Sequence, residues 1–320
     1  MNITLQPSGF KLDVRPGERI LEAAHRLGYE CPHGCRDSAC HVCAALLVEG
    51  RVRQNGVEMN QGEIFTCLAE PLEDCLVHWD GVLASSVLPV RELTCQLIEC
   101  QAVGGDVYRV RLLAPEGEMP LYHAGQYLLL QRETGEFSAF SLASAPHQGR
   151  ELELHVFARD GSSKGLPGYL DREGTARIRL PFGDAHLAEL PDGPLVLLAA
   201  GTGMAQMHSL IEHCRARGFT PPIHLYWGVR RAEDFYEISH WADWQKLPGL
   251  SLHKIVSDGW EGRGGLLYQA IREDFTDLKG LHIYASGSPT MVYATLDALV
   301  EAGMDAHQMR ADVFAYAPRS

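Results

Sequence analysis

The chain has 320 residues and carries 28 Lys and Arg against 41 Asp and Glu, a formal net charge of −13. That acidic balance argues against a nucleic-acid binder, which needs a basic face to displace counterions, and disfavours an anionic membrane surface as partner. The 46% hydrophobic and 22% charged content excludes disordered and collagen-like classes. No apolar run approaches the roughly 20 residues of a membrane span, and the N-terminal MNITLQPSGF lacks the basic-then-apolar pattern of a secretory signal, so a cytoplasmic protein is expected. At roughly 150 residues per domain the length suggests about two domains, and three small ones also fit.

In chain order, residues 2–5 and 10–14 alternate in polarity around Pro7-Ser8-Gly9, which predicts a β-hairpin. Residues 18–27 space their apolar side chains for a short helix. A Cys- and Gly-rich loop follows, then strands at 44–48 and near 64–68. Residues 1–80 thus read as a first domain, and 81–92, mixing Gly, Ser and Pro without periodicity, as a linker. Residues 93–190 hold short alternating runs at 93–100, 107–113, 127–131, 151–158 and 176–180, the pattern of an antiparallel barrel or sandwich. Residues 191–320 change character. Apolar runs at 195–200, 223–227, 250–256, 281–285 and 313–315 alternate with helical patterns at 205–217, 265–273 and 290–302, which predicts a doubly wound parallel sheet.

Nine cysteines are present, and four fall between positions 31 and 43. Cys35, Cys40 and Cys43 give C-x4-C-x2-C, with Cys67 further on, the plant-type spacing for a [2Fe–2S] cluster. One tight loop would supply three thiolates and a remote segment the fourth. A zinc site and buried structural thiols are the alternatives, but structural zinc usually recruits two short ligand pairs and only one C-x2-C occurs. Cys31 fits the spacing less well and is read as a non-ligand. Cys75, Cys95, Cys100 and Cys214 are most simply packing residues. Further on, the run 195–200 meets Gly201-Thr202-Gly203-Met204 and then a helix. Such a turn brings amides and a positive helix end toward a pyrophosphate. Gln206 stands where a third glycine would complete G-x-G-x-x-G. His208 and His213 do not form H-E-x-x-H, so a second metal is not expected.

The cysteine loop resembles the ferredoxin module of bacterial flavin-containing oxygenase reductases, in which it reads C-R-x-G-x-C-G-x-C. Ser38 and His41 stand at the two glycine positions. Gly125-Gln126-Tyr127 followed by Phe137-Ser-Ala-Phe140-Ser141-Leu-Ala-Ser144 resembles the flavin barrel of the ferredoxin-NADP reductase superfamily, whose pattern is R-x-[YF]-[ST]. The resemblance places Tyr127, Phe140, Ser141 and Ser144 at the flavin, with the Ser141 hydroxyl near the ring nitrogen that receives hydride. Ser138 replaces the phosphate-pairing Arg, and Pro167 stands where a Ser or Thr opens a short helix near 162–170, so FAD is the expected flavin with FMN, or a loosely held flavin, as the alternative. Gly228 and Arg230 match a family turn near the ribose and adenine of NAD(P)H, although Arg230 can equally be a solvated charge. Ser286-Gly287-Ser288-Pro289 matches C-G-x-P beside the nicotinamide, with Ser for Cys.

The resemblance implies that Ser141, Ser286 and Asp312 line the hydride-transfer site and that Phe314 covers the flavin ring, unless Phe314 and Tyr316 simply cap the sheet. It covers essentially the whole chain, and its nearest group is the CDP-6-deoxy-Δ3,4-glucoseen reductases. The fold it implies is an N-terminal β-grasp [2Fe–2S] ferredoxin, an antiparallel flavin-binding β-barrel at 93–190 and a doubly wound nicotinamide domain at 191–320. The function it implies is electron transfer from NAD(P)H through flavin and a [2Fe–2S] cluster to a terminal oxygenase, hydroxylase or dehydrase. The competing readings are a flavin reductase that releases reduced flavin, and a non-enzymatic iron–sulfur electron-transfer or sensor protein.

Overall fold

A computed structural model describes residues 1–33, 38, 41–84, 88–159, 163–258 and 262–319. The chain gathers into two units, Met1–Pro89 with Ala114–Leu121, and Val90–Leu113 with Tyr122–Ser320.

In the first unit, the alternation of the N-terminal residues produces the expected hairpin, Asn2–Gln6 antiparallel to Lys11–Asp13. Asn2–Gln6 also pairs in parallel with Cys75–His78. The sheet runs Lys11–Asp13, Asn2–Gln6, Cys75–His78, Ala44–Glu49, Gly62–Phe65. Helix Ile20–Arg26 buries Ile20, Leu21, Ala23 and Ala24 with Ile3, Leu5, Leu12, Leu47 and Val77, the β-grasp arrangement. Each fully buried Ile, Leu or Val contributes roughly 1.5–3 kcal/mol. The strand expected near 64–68 is Gly62–Phe65, so Cys67 falls in the turn beyond it. Three short strands, Val52–Gln54, Val57–Met59 and Glu70–Pro71, form a separate sheet. Their brevity and exposure left no alternation to read.

The second unit holds two layers. Six antiparallel strands run in the order Phe137–Ser141, Tyr127–Gln131, Thr175–Phe182, Arg91–Ala102, Val107–Leu113, Glu151–Phe157. A bridge from Leu142 to Leu154 joins the first strand to the last and closes the barrel. Helix Leu166–Glu173 carries Pro167 in its first turn, where a missing N–H costs nothing. The second layer is a parallel sheet in the order Leu250–Val256, Ile223–Val229, Leu195–Ala200, His282–Ser286, Met309–Arg310. The two layers share a core in which Val103, Val107, Ala124 and Leu187 meet Leu195, Leu197, Met207 and Leu210. Strand Leu195–Ala200 lies between the second and fourth strands of its sheet, so the topological switch point falls at the carboxyl ends of Leu195–Ala200 and His282–Ser286, where open α/β sheets bind ligands.

One expected element is corrected. Residues 313–315 do not form a strand. The chain makes helix Val313–Tyr316, and the edge strand is Met309–Arg310, parallel to His282–Ser286. Three apolar residues carry no period, and here the Ala315 N–H closes a turn onto the Asp312 carbonyl at 3.0 Å. Among the described residues no helix is long and apolar enough to cross a membrane.

Candidate functional site

Cys43 immediately precedes strand Ala44–Glu49, and Cys67 sits in the turn after Gly62–Phe65. These two strands pair, which brings the two buried thiols together with Sγ atoms 3.1 Å apart. The Thr66 amide and hydroxyl both donate to the Cys43 carbonyl, at 3.0 and 3.1 Å. Cys35 and Cys40 lie outside the described residues. Ser38 and His41 adopt φ of 70° and 55°, left-handed backbone that glycine enters freely and other residues enter at a cost of roughly 1 kcal/mol or more. His41 packs edge-on against Phe65, ring centroids 4.8 Å apart. The Cys31 thiol is directed at the Tyr29 carbonyl, 3.7 Å away.

At the switch point of the parallel sheet, Gly201–Gly203 forms a tight turn into helix Met204–Ala216. Gly201 has φ of 53° and open space where a Cβ would sit, whereas a Cβ on Gly203 would lie 2.3 Å from the Ser286 carbonyl oxygen. Only glycine lets these two strand-end turns touch. A Cβ on Gly287 would likewise meet the Met291 side chain at 2.4 Å. Ser288 caps helix Pro289–Glu301, its hydroxyl accepting the Met291 N–H at 3.3 Å. Two helix N-termini, each with a partial positive charge, therefore begin at the same crevice. A cavity of about 710 Å³ opens there, lined among others by Gly201, Thr202, Gly228, Arg230 and Tyr236. Arg230 is exposed and its Nε donates to Asp258 at 2.7 Å.

Two further cavities adjoin Phe140, Ser141, Ser286 and Gly287. One, of about 320 Å³, adds Tyr127, Gln206, Asp312 and Tyr316. The other, of about 470 Å³, adds His155, Thr202, Gly203 and Ser163. Tyr127 pairs with Ser141 across the strands and stacks on Phe182. Asp312 accepts N–H bonds from Asp184 and Ala185, both at 3.0 Å, and one from the Gln206 amide at 3.3 Å. Burial raises its carboxyl above the usual range, and these donors oppose the rise. Gln206 also donates to the carbonyls of Gly125 and Ala185, at 2.8 and 2.9 Å. The residue at the missing third glycine thus ties the nucleotide helix to the barrel. His155 bridges the Tyr236 hydroxyl at 3.0 Å and the Glu153 carboxylate at 3.1 Å.

The structure therefore gathers Tyr127, Phe140, Ser141, Ser286, Gly287 and Asp312 around one opening, and Gly201, Thr202, Gly228 and Arg230 around the larger one beside it. Other expected residues stand elsewhere. Ser144 is buried, its hydroxyl accepting from Tyr122 at 3.0 Å and from the Glu153 amide at 3.1 Å. Met204 is in the core, Pro289 forms the first turn of its helix, and Phe314 packs on Tyr293 with ring centroids 5.6 Å apart. Tyr316, His155, Gln206 and Tyr236 were missed as lining residues. His155 and Tyr236 carry no local mark, Gln206 was read only as the absent third glycine and Tyr316 only as a sheet cap, and helix and strand packing bring all four to the cavities.

Residues 3–72 match the 2Fe-2S iron-sulfur cluster binding domain, and residues 197–297 the oxidoreductase NAD-binding domain. The reductase subunit of an aromatic O-demethylase from Amycolatopsis is 30% identical over 335 residues, covering 98% of this chain and 99% of that protein. This chain belongs to the iron–sulfur NAD(P)H reductase family. The CDP-6-deoxy-L-threo-D-glycero-4-hexulose-3-dehydrase reductase of Yersinia pseudotuberculosis is 28% identical to this reductase over 327 residues, with 98% of each chain covered. The crystal structure of an Amycolatopsis cytochrome P450 reductase superposes with a TM-score of 0.62 at 27% identity, covering 98% of both chains. The reductase is an NAD(P)H-dependent oxidoreductase that passes electrons through FAD and a [2Fe–2S] cluster.

The residues present fit these groups. Two buried, adjacent thiols at the ends of paired strands suit the thiolate-held cluster. The opening at Ser141 and Ser286 presents aromatic walls and hydroxyl groups to a flavin ring. The touching glycine turns present a nucleotide with backbone free of side chains.

Proposed function

We propose that this reductase delivers electrons from NAD(P)H, through flavin and cluster, one at a time to a separate terminal oxygenase, hydroxylase or dehydrase. One observation carries the reading: Ser141 and Ser286, from two different layers of the fold, line the same opening next to the nucleotide cavity. When bound, the flavin supplies acceptance of a hydride and release of single electrons, and the cluster carries them one at a time.

The chain's own residues then have definite tasks. The amides of Gly201–Gly203 and the start of helix Met204–Ala216 hold the nucleotide pyrophosphate. Gly228 and Arg230 flank its ribose and adenine. Gly287 keeps side-chain bulk away from the nicotinamide, and Ser286 orients it. Tyr127 and Phe140 wall the flavin ring, and the Ser141 hydroxyl hydrogen-bonds at its hydride-accepting edge. Asp312 fixes the C-terminal turn that closes the opening. Cys35, Cys40, Cys43 and Cys67 hold the cluster. We assign the ferredoxin domain to residues 1–80, the linker to 81–92, the flavin barrel to 93–190 and the nicotinamide domain to 191–320. A thiolate-held cluster suits a reducing compartment, the cytoplasm.

A second reading has its own support. No Lys or Arg lines the two flavin-side cavities among the described residues, so a flavin phosphate meets no guanidinium there. An exchangeable flavin that leaves reduced follows from that reading.

The test is anaerobic stopped-flow reduction by NADH and NADPH of protein carrying both flavin and cluster. Ser141→Ala should slow flavin reduction roughly tenfold, the effect of about one lost hydrogen bond, with cluster content unchanged. An unchanged rate removes Ser141 from the site. Flavin retained at one per chain after desalting excludes the exchangeable reading.

A further inference from the structure

Trp227 belongs to strand Ile223–Val229 and is 1% exposed. Its indole N–H donates to the Gly201 carbonyl at 3.0 Å. Gly201 opens the turn read above as the pyrophosphate seat, and the inference rests on that reading. The indole itself is clamped. Phe235, Tyr236 and Trp241 meet it at ring-centroid distances of 4.8, 5.1 and 5.6 Å. The Lys254 ammonium lies 5.5 Å from the Trp227 ring centroid, 4.8 Å from that of Phe235 and 5.0 Å from that of Trp241. No carboxylate pairs with Lys254 among the described residues. Its charge is met by three aromatic faces, an arrangement that weakens if any one ring turns away.

We propose that Trp227, held by the Lys254 cage, is the positioning residue for the nucleotide turn. Across a trans peptide the Thr202 N–H points opposite the Gly201 carbonyl. A carbonyl tied to the buried indole therefore turns that N–H away from the core, toward the cavity that Thr202 lines. Gly201 has φ of 53° and no neighbour within 4 Å of a Cβ, and its carbonyl also accepts the Met204 N–H that closes the turn. The indole adds the side-chain anchor that ties this peptide to the core. Trp227 touches no nucleotide and acts only through the turn, and Lys254 acts only through Trp227.

The experiment is titration of the full holo-protein with NAD⁺, a non-reducing probe, together with steady-state kinetics for NADH and a thermal melt. Trp227→Phe keeps a ring in the cage and removes the N–H. It should raise the NAD⁺ Kd and the NADH KM together by about five- to tenfold, the effect of one lost hydrogen bond, with kcat within about twofold. Lys254→Met keeps the apolar stem and removes the charge, and should raise the same two constants by about two- to threefold. It serves as the test on its own if Trp227→Phe does not fold. A lowered melting temperature with unchanged Kd and KM would mean that the cage only packs, and would overturn the proposal. Absence of both NAD⁺ and NADP⁺ binding in the unaltered protein would overturn the reading of the turn, and the proposal with it.

Discussion

Among the turns that bend through left-handed backbone, the one at Gly201 and the one at Ser38 and His41 are built from different residues. The nucleotide turn uses Gly201, with Gly203 two residues on. The cluster loop places Ser38 and His41 in the same backbone region. At Gly203 the need is space, since a Cβ would strike the Ser286 carbonyl. At His41 the side chain has somewhere to go, against Phe65. A left-handed residue can keep its side chain when that side chain finds a partner. A point where two backbones touch admits no side chain at all.

The largest break in the comparison is at the cluster. Cys67→Ser should lower one-electron reduction of cytochrome c by about a hundredfold or more, because it removes a proposed cluster ligand, while NAD(P)H-to-flavin hydride transfer stays within about twofold. Loss of both activities in a folded variant would contradict independent working of the two halves.

Next is Gly203→Ala. Forcing a methyl against the Ser286 carbonyl should displace both turns, at the 1–3 kcal/mol typical of overpacking (about 5- to 150-fold), read as a raised KM for NAD(P)H. Gly201→Ala, which adds only left-handed strain, should cost about 1 kcal/mol in a thermal melt. If the two variants behave alike, close approach is not the distinction between them.

The two units should also differ in acid. In the larger unit, burial holds His186 and His213 at about 4, below their ordinary 6.5. The unfolded chain binds protons there first, so stability is complete above pH 6.5 and is lost as the pH falls from 6.5 to about 4. In the smaller unit, the Arg26 side chain holds Glu18 at about 2. Its contribution is complete above pH 4.5 and is lost only as the pH falls toward about 2. Thermal melts at pH 7 and pH 5 should therefore show the flavin and nicotinamide half weakened and the Glu18–Arg26 contribution intact, with His186→Gln flattening the difference.

The smallest effect is at His41. His41→Gly relieves left-handed strain but loosens the unfolded chain and loses the Phe65 contact, so the net change should stay within about 1 kcal/mol. A larger loss would mean that the His41–Phe65 contact, rather than backbone preference, maintains the loop.

Much of this was legible in the sequence, and the reasons are specific. The run Leu195–Ala200 before Gly201-Thr202-Gly203 and Ser286-Gly287 after a buried strand are local patterns, and the structure brings both to the cavities, while the C-x4-C-x2-C spacing falls within the match to the 2Fe-2S cluster binding domain. His155 left no such mark, and the patterns around Gln206 and Tyr316 did not show them as lining residues, since all three reach the cavities through packing between layers. Phe314 was the more conspicuous aromatic, but helix Val313–Tyr316 turns it toward Tyr293 and leaves Tyr316 at the opening. Val313–Ala315 is too short to show a period, so helix and strand could not be told apart.

The most direct test of the electron path is anaerobic titration of desalted protein with NADH and with NADPH, following the flavin and cluster bands of the visible spectrum. The account predicts that one nucleotide bleaches the flavin and the cluster together. A cluster that stays oxidised while protein-bound flavin is fully reduced would contradict it.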